Sequence, residues 1–130
     1  MRAISVRRVG VALGLLRCSI GAVMVGDPPR LARLLGVDSV TAAQTGWLTR
    51  MIGGREIGLG VGSLGVLAQG YSGRSWYAAQ ALADGGDALA LIAAVRAGRV
   101  STPAGSLIAA SAVAGAVVEI AVMRSADGDC

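Results

Sequence analysis

Four apolar stretches of near-equal length dominate this chain and restrict what it can fold into. They run over residues 5–26, 47–70, 76–98 and 103–123. Each is close to the ~20 helical residues that cross a hydrocarbon core of ~30 Å. Stop signals bound them. Asp27-Pro28-Pro29 cannot continue a helix, and Gly70-Tyr71-Ser72-Gly73 reads as a turn with Ser75 as a helix cap. Thr102-Pro103 places a capping hydroxyl before a proline at a first helical position. The pattern predicts an all-α protein: a transmembrane four-helix bundle, residues 1–130 forming one integral membrane domain.

Composition supports this and excludes alternatives. Hydrophobic residues make up 54% and charged residues 15%, against about 25% charged in soluble domains. Disordered chains are poor in apolar residues and rich in charge, the reverse of this one. Two cysteines cannot make a disulfide framework, and the absence of histidine removes His-based catalysis and His-ligated metal. All twelve basic residues are arginine and the net charge is +4. They are dispersed and lack interleaved aromatics, so no nucleic-acid site is expected.

Residues 5–26 open like a signal peptide, with Arg2, Arg7 and Arg8 ahead of an apolar run. Arg17 interrupts that run and no small-x-small cleavage site stands out before Asp27, so the segment reads as a retained helix. Between the first two spans, Leu31, Leu34 and Leu35 share a face opposite Arg30 and Arg33. This predicts one short amphipathic helix, lying in the membrane interface or packed on the bundle. Trp47, Tyr71, Trp76 and Tyr77 fall near span ends, as aromatic belt residues do. With the N-terminus inside, Arg2, Arg7, Arg8, Arg74 and Arg124 face the cytoplasm and Arg30, Arg33, Arg96 and Arg99 face outward. That count favours a multi-pass protein of the inner (plasma) membrane with both termini cytoplasmic.

The ionisable residues inside the apolar runs carry most of the functional information. A charge at the bilayer centre costs about 2.5–3.5 kcal/mol on insertion scales, so such residues face the protein interior and pair. Arg17 shares a face with Gly10, Gly14 and Gly21. The second stretch carries Arg50, Arg55 and Glu56, with Gly54, Gly58 and Gly62 as a small-xxx-small row for close packing. In the third, Gln80, Asp84 and Asp87 lie at i, i+4 and i+7 on one face; in the fourth, Ser111, Gly115 and Glu119 form a similar stripe. At 1.5 Å rise per residue, Arg55 and Glu56 lie roughly 12–14 Å from the outer end, Arg17 roughly 14 Å, Asp87 roughly 16 Å and Asp84 roughly 21 Å. The five share a mid-depth layer, with Glu119 lower, within reach of Arg7 or Arg8. Two arginines face three carboxylates there. Either Arg50 reaches in, or Asp84 and Asp87 share a proton.

At GGREIGLGVG and ADGGDALAL the chain resembles small four-helix integral membrane proteins and domains of unknown function from actinobacteria and proteobacteria, DoxX-like at fold level. Those carry a G-x-R-E-x-x-x-G-type motif in the second helix and D-x-x-D in the third. Gly53-Gly54-Arg55-Glu56 with Gly60, and Asp84 with Asp87, follow the pattern, as does RLARLLGVD after the first helix. Similar segments stand before polyketide cyclase/dehydrase-like lipid-binding domains. The resemblance implies an architecture and a shared polar cluster, and brings no established activity.

Several uses of the cluster are open. It can lock helix register. It can bind, holding the polar end of a lipophilic small molecule or docking a partner membrane protein or second copy through glycine faces; Arg17, Arg50, Arg55, Glu56, Gln80, Asp84, Asp87 and Glu119 are the candidate binding residues. It can be an acid/base enzyme of cyclase, isomerase or epoxide-opening type on a polyketide or terpenoid, with Asp84, Asp87 and Glu56 as candidate catalytic carboxyls. A proton path through Asp84, Asp87 and Glu119 is the least supported, since Pro-broken half-helices and an inverted repeat are lacking. Asp84 and Asp87 alone are weak evidence for Mg²⁺, so no metal or cofactor is expected. Cys18 reads as a small packed hydrophobe and Cys130 as a tail thiol.

Overall fold

Prolines, glycines and two aspartates set the helix ends. The structure is a computed structural model that describes residues 2–34, 36–71 and 73–125. The described residues form six helices, α1 (Arg2–Gly26), α2 (Pro28–Leu34), α3 (Ser39–Gln44), α4 (Gly46–Ala68), α5 (Arg74–Arg96) and α6 (Thr102–Ser125), and include no strand. The all-α expectation holds, with ends within a few residues of those read from the sequence. Leu35 of the amphipathic face, Ser72 of the turn and Cys130 lie outside the described residues, as does the side chain of Arg2.

α1 stops before Asp27, whose Oδ1 accepts the Arg30 N–H at 3.2 Å and caps α2 behind its two opening prolines. In place of one amphipathic helix there are two short ones. Gly36 at φ 83° ends α2, and Asp38 starts α3 by accepting the N–H groups of Val40 and Thr41, both at 3.0 Å. The buried face of α2 is Pro28 and Ala32, while Leu34 is exposed. Gly73, at φ 65°, occupies the cap position of α5, so Ser75 falls inside the helix. Thr102 is already helical, so α6 starts one residue earlier than the expected start at Pro103.

The chain divides into two compact units, one spanning Arg7–Tyr71 and the other holding the α5–α6 hairpin. In the first, α1 and α4 run antiparallel with α2 and α3 between them in sequence. Glycine makes their crossing close. A Cβ on Gly21 would lie 2.5 Å from the Gly53 carbonyl oxygen, and one on Gly60 would lie 2.6 Å from the Gly14 carbonyl oxygen. The close-packing row is therefore Gly14 and Gly21 against Gly53 and Gly60. The expected Gly54 and Gly58 are exposed, and a methyl added at either would have nothing within 4 Å. One helix position is a rotation of about 100°, enough to carry that row off the contact.

Polarity is inverted relative to a water-soluble fold. The buried side chains of α5 are Tyr77, Gln80, Asp84 and Ala88. Leu82 and Leu89 on the same helix are 78% and 71% exposed, and Leu107, Val113 and Val117 of α6 are exposed as well. Residues 7–26 of α1, with all of α5 and α6, give three helices long and apolar enough to cross a membrane. α4 has the same length as α5, 23 residues, but Arg50, Arg55 and Glu56 dilute its apolar run.

Candidate functional site

Arg17 lies midway between Arg7 and Gly26, at the centre of the apolar part of α1. Its neighbours toward α4 are Gly14 and Gly21, one turn to either side, which bring the α4 backbone close enough for a guanidinium to be enclosed. Arg17 Nη1 donates to Glu56 Oε2 at 2.6 Å. The two side chains are only 6% and 13% exposed. Glu56 is itself mid-helix in α4, between Gly53 and Gly60, so the ion pair lies between the two glycine crossings. Arg55 Nη1 lies 3.8 Å from Glu56 Oε1, with 33% of its side chain exposed. One carboxylate thus receives a buried guanidinium on one oxygen and a half-buried one on the other. The Arg17 contact is a charge-assisted hydrogen bond, the strong kind, while Arg55 at 3.8 Å adds Coulomb attraction alone.

Cys18 packs at the same crossing, its Sγ 3.9 Å from the Ile57 carbonyl oxygen. Arg50 does not enter the interior. It is exposed near the start of α4, where its Nε donates to the Val25 carbonyl at 3.4 Å. It lies nearly two helical turns before Glu56, a rise of roughly 9 Å, which keeps it at the end of the helix.

The α5–α6 hairpin carries its own polar set. Tyr77, Gln80 and Asp84 follow each other at three- and four-residue steps on the buried face of α5. Glu119 is buried on α6. Asp87, expected on the Gln80–Asp84 face, is exposed; three residues beyond Asp84 the helix has turned it off the stripe that Ala88 continues. Ser111 is exposed too and donates its hydroxyl to the Ile108 carbonyl at 2.7 Å, so of the expected Ser111, Gly115 and Glu119 stripe, Glu119 is buried, Gly115 half-buried and Ser111 lost. Tyr77, read as a belt residue, is 1% exposed and belongs to the buried face of α5, whereas Trp47 and Tyr71 are exposed at helix ends.

Of the eight candidate binding residues, Arg17, Arg50, Arg55 and Glu56 belong to the first unit, and Gln80, Asp84, Asp87 and Glu119 to the second. Arg17, Arg55 and Glu56 come together. Among the described residues no group of three or more Cys, Asp or Glu is placed to hold a metal ion. The matching heptad spacings, Gly14 with Gly21 and Gly53 with Gly60, were a legible signal of the crossing. Tyr77 had one as well, at three residues before Gln80.

Comparison of the chain with family models, curated proteins and solved structures returns no match. The functional reading rests on the residues themselves.

Proposed function

We propose that this chain is a small integral membrane protein of four spanning helices, a transmembrane four-helix bundle, that acts as a binding or accessory module for a lipophilic small molecule or a partner membrane protein. α4 is the fourth span in this reading. Its mid-helix Glu56 is paired with Arg17, and Arg55 lies beside the same carboxylate. The observation that carries the reading is the Arg17–Glu56 pair, enclosed halfway along an apolar helix. Intramembrane ionisable groups cost enough that they mark functional sites by default. Arg55, half-buried beside the same carboxylate, is the side chain suited to meet a ligand's polar end. The reading agrees with the resemblance to DoxX-like membrane proteins, whose motif residues here are Gly53-Gly54-Arg55-Glu56, Asp84 and Asp87. The arginine count across the connecting segments favours the inner membrane with both termini cytoplasmic.

The test is a mass-spectrometric search for a lipophile that co-purifies with the full chain in mild detergent, compared with Arg55→Gln and Asp84→Asn. The expected result is a species enriched with wild type and depleted in a variant whose thermal stability is kept. Enrichment of a chemically altered species instead would mark the acid/base enzyme. Finding neither a lipophile nor a cross-linked partner, with stability lost in both variants, would leave the cluster as a register lock.

A further inference from the structure

The α1–α2 corner holds an open groove of about 330 Å³ lined by Val23, Gly26, Asp27, Arg30, Leu31 and Leu34. Val23, Leu31 and Leu34 give it an apolar floor beside the charged Asp27 and Arg30, and it sits at the end of a membrane-length helix rather than at mid-span. Arg30 lines it and is exposed, and Arg33, three residues on along α2, is exposed too, its Nε donating to the Pro29 carbonyl at 3.2 Å and its two Nη groups left for a ligand. Arg50 is exposed at the same end, bonded to Val25. Asp27 is the acid on the groove, and its carboxylate is turned to the Arg30 N–H; Asp38 likewise caps α3. Three arginines against two capping aspartates leave this end cationic. Trp47 is exposed and next in sequence to Gly46, where an added Cβ would lie 3.8 Å from Pro28 Cβ, so it stands at this same end, where interfacial tryptophans anchor.

We infer that this corner binds an anionic phospholipid, with Arg30 and Arg33 taking the headgroup phosphate and one acyl chain lying in the groove between Val23, Leu31 and Leu34. The two halves of the site select the ligand together. A soluble anion has no use for an apolar groove, and a zwitterionic lipid gains little from an excess of arginine. Surface arginines draw anionic lipid by electrostatics that add per charge, and Arg forks match phosphate geometry. The inference rests on the membrane reading above, and its test separates the two.

The full chain with Trp76→Phe, which leaves Trp47 as the reporter, is reconstituted into phosphatidylcholine vesicles. Brominated acyl chains are carried either by phosphatidylcholine or by phosphatidylglycerol at equal mole fraction. Trp47 is expected to be quenched preferentially by the brominated phosphatidylglycerol, with a local enrichment of roughly fivefold per arginine. Arg30→Gln with Arg33→Gln should bring the two lipids to equal quenching while helicity is unchanged, and raised salt should do so in the parent chain. Equal quenching by both lipids in the parent chain overturns the inference and leaves the membrane reading intact. Absence of quenching by either overturns both. Displacement of the brominated lipid by glycerol phosphate would show a headgroup-only anion site and overturn the acyl-groove assignment.

Discussion

Arg17 Nη1 and Glu56 Oε2 meet at 2.6 Å between two glycine crossings of α1 and α4. The pair and the crossings depend on each other. Without glycine at 21, 53, 14 and 60 the backbones stand too far apart to enclose the guanidinium, and without the carboxylate an enclosed guanidinium loses the partner that offsets its desolvation. Breaking one side of a buried pair costs about 3–5 kcal/mol, while replacing both sides with apolar groups of similar size is often neutral. Glu56→Met is therefore expected to lower thermal stability in detergent strongly, and the double variant Arg17→Met with Glu56→Met to recover most of it. If the pair serves ligand binding, the double variant stays folded and loses the co-purifying lipophile. A double variant no more stable than Glu56→Met would show that the pair is not an isolated unit.

The glycine crossings make a prediction by position. Gly21→Ala would push a methyl to 2.5 Å from the Gly53 carbonyl, and Gly60→Ala to 2.6 Å from the Gly14 carbonyl and from Cys18 Sγ. Backbone cannot swing away as a flexible side chain can, so each should cost at least the ~1–3 kcal/mol typical of overpacking. Gly54→Ala and Gly58→Ala meet nothing within 4 Å and should gain up to about 1 kcal/mol of helix propensity. Unfolding of the four variants in SDS–detergent mixtures reads the difference. Equal losses at all four positions would contradict the assigned crossing.

The exposed leucines test the solvent. On a water-facing helix, Leu82→Arg and Leu89→Arg would be near-neutral, within about 0.5 kcal/mol. Facing hydrocarbon, each should cost about 2.5–3.5 kcal/mol on insertion and lower the fraction of chain recovered in membranes. Carbonate-resistant membrane recovery of the two variants against the parent chain measures this. Full recovery of both would remove lipid from that face.

Much of this was readable from the sequence. Apolar length, Asp27-Pro28-Pro29 and the turn glycines place the helices, because those effects are local. Arg17 and Glu56 declare themselves by their cost in an apolar run. Which of several glycine rows makes the crossing was not readable from one helix. Gly54, Gly58 and Gly62 satisfy the small-xxx-small rule as well as Gly53 and Gly60 do, and only the partner helix, with Gly14 and Gly21 at the same seven-residue spacing, decides. Tyr77 and Asp87 changed places for a related reason. A residue near a span end looks like a belt residue, and one three positions after a buried acid looks co-facial, until the rotation of α5 about its axis is fixed by packing.

Asp38 supplies a pH dependence outside the apolar spans. A hydrogen bond from the Thr41 side chain, then the N–H of Thr41 and that of Val40, hold its carboxyl below the ordinary value of 3.8. The folded pKa is depressed, so the stabilisation of the α3 start is fully present above 3.8 and is lost as pH falls through the lower folded value. Amide exchange protection at Val40 and Thr41, corrected for intrinsic rate, should be flat from neutral pH down to that range and fall below it. Asp38→Asn, which retains a capping oxygen, should abolish the acid step, and protection that falls already near neutrality would exclude Asp38 as its source.

Tyr77 gives the least intuitive expectation. Its side chain, on α5, is 1% exposed, and its hydroxyl finds no hydrogen-bond partner among the described residues. A desolvated hydroxyl left unsatisfied costs about 1–3 kcal/mol, and phenylalanine keeps the ring packing while deleting that group. Tyr77→Phe should thus raise thermal stability in detergent, an unusual direction for a substitution at a fully buried side chain. Loss of stability instead would mean that the hydroxyl is satisfied in the purified protein by a bound water or a ligand's polar atom. Repeating the measurement on lipid-stripped protein separates those two, since a lipophilic ligand is removed by stripping and a buried water is not.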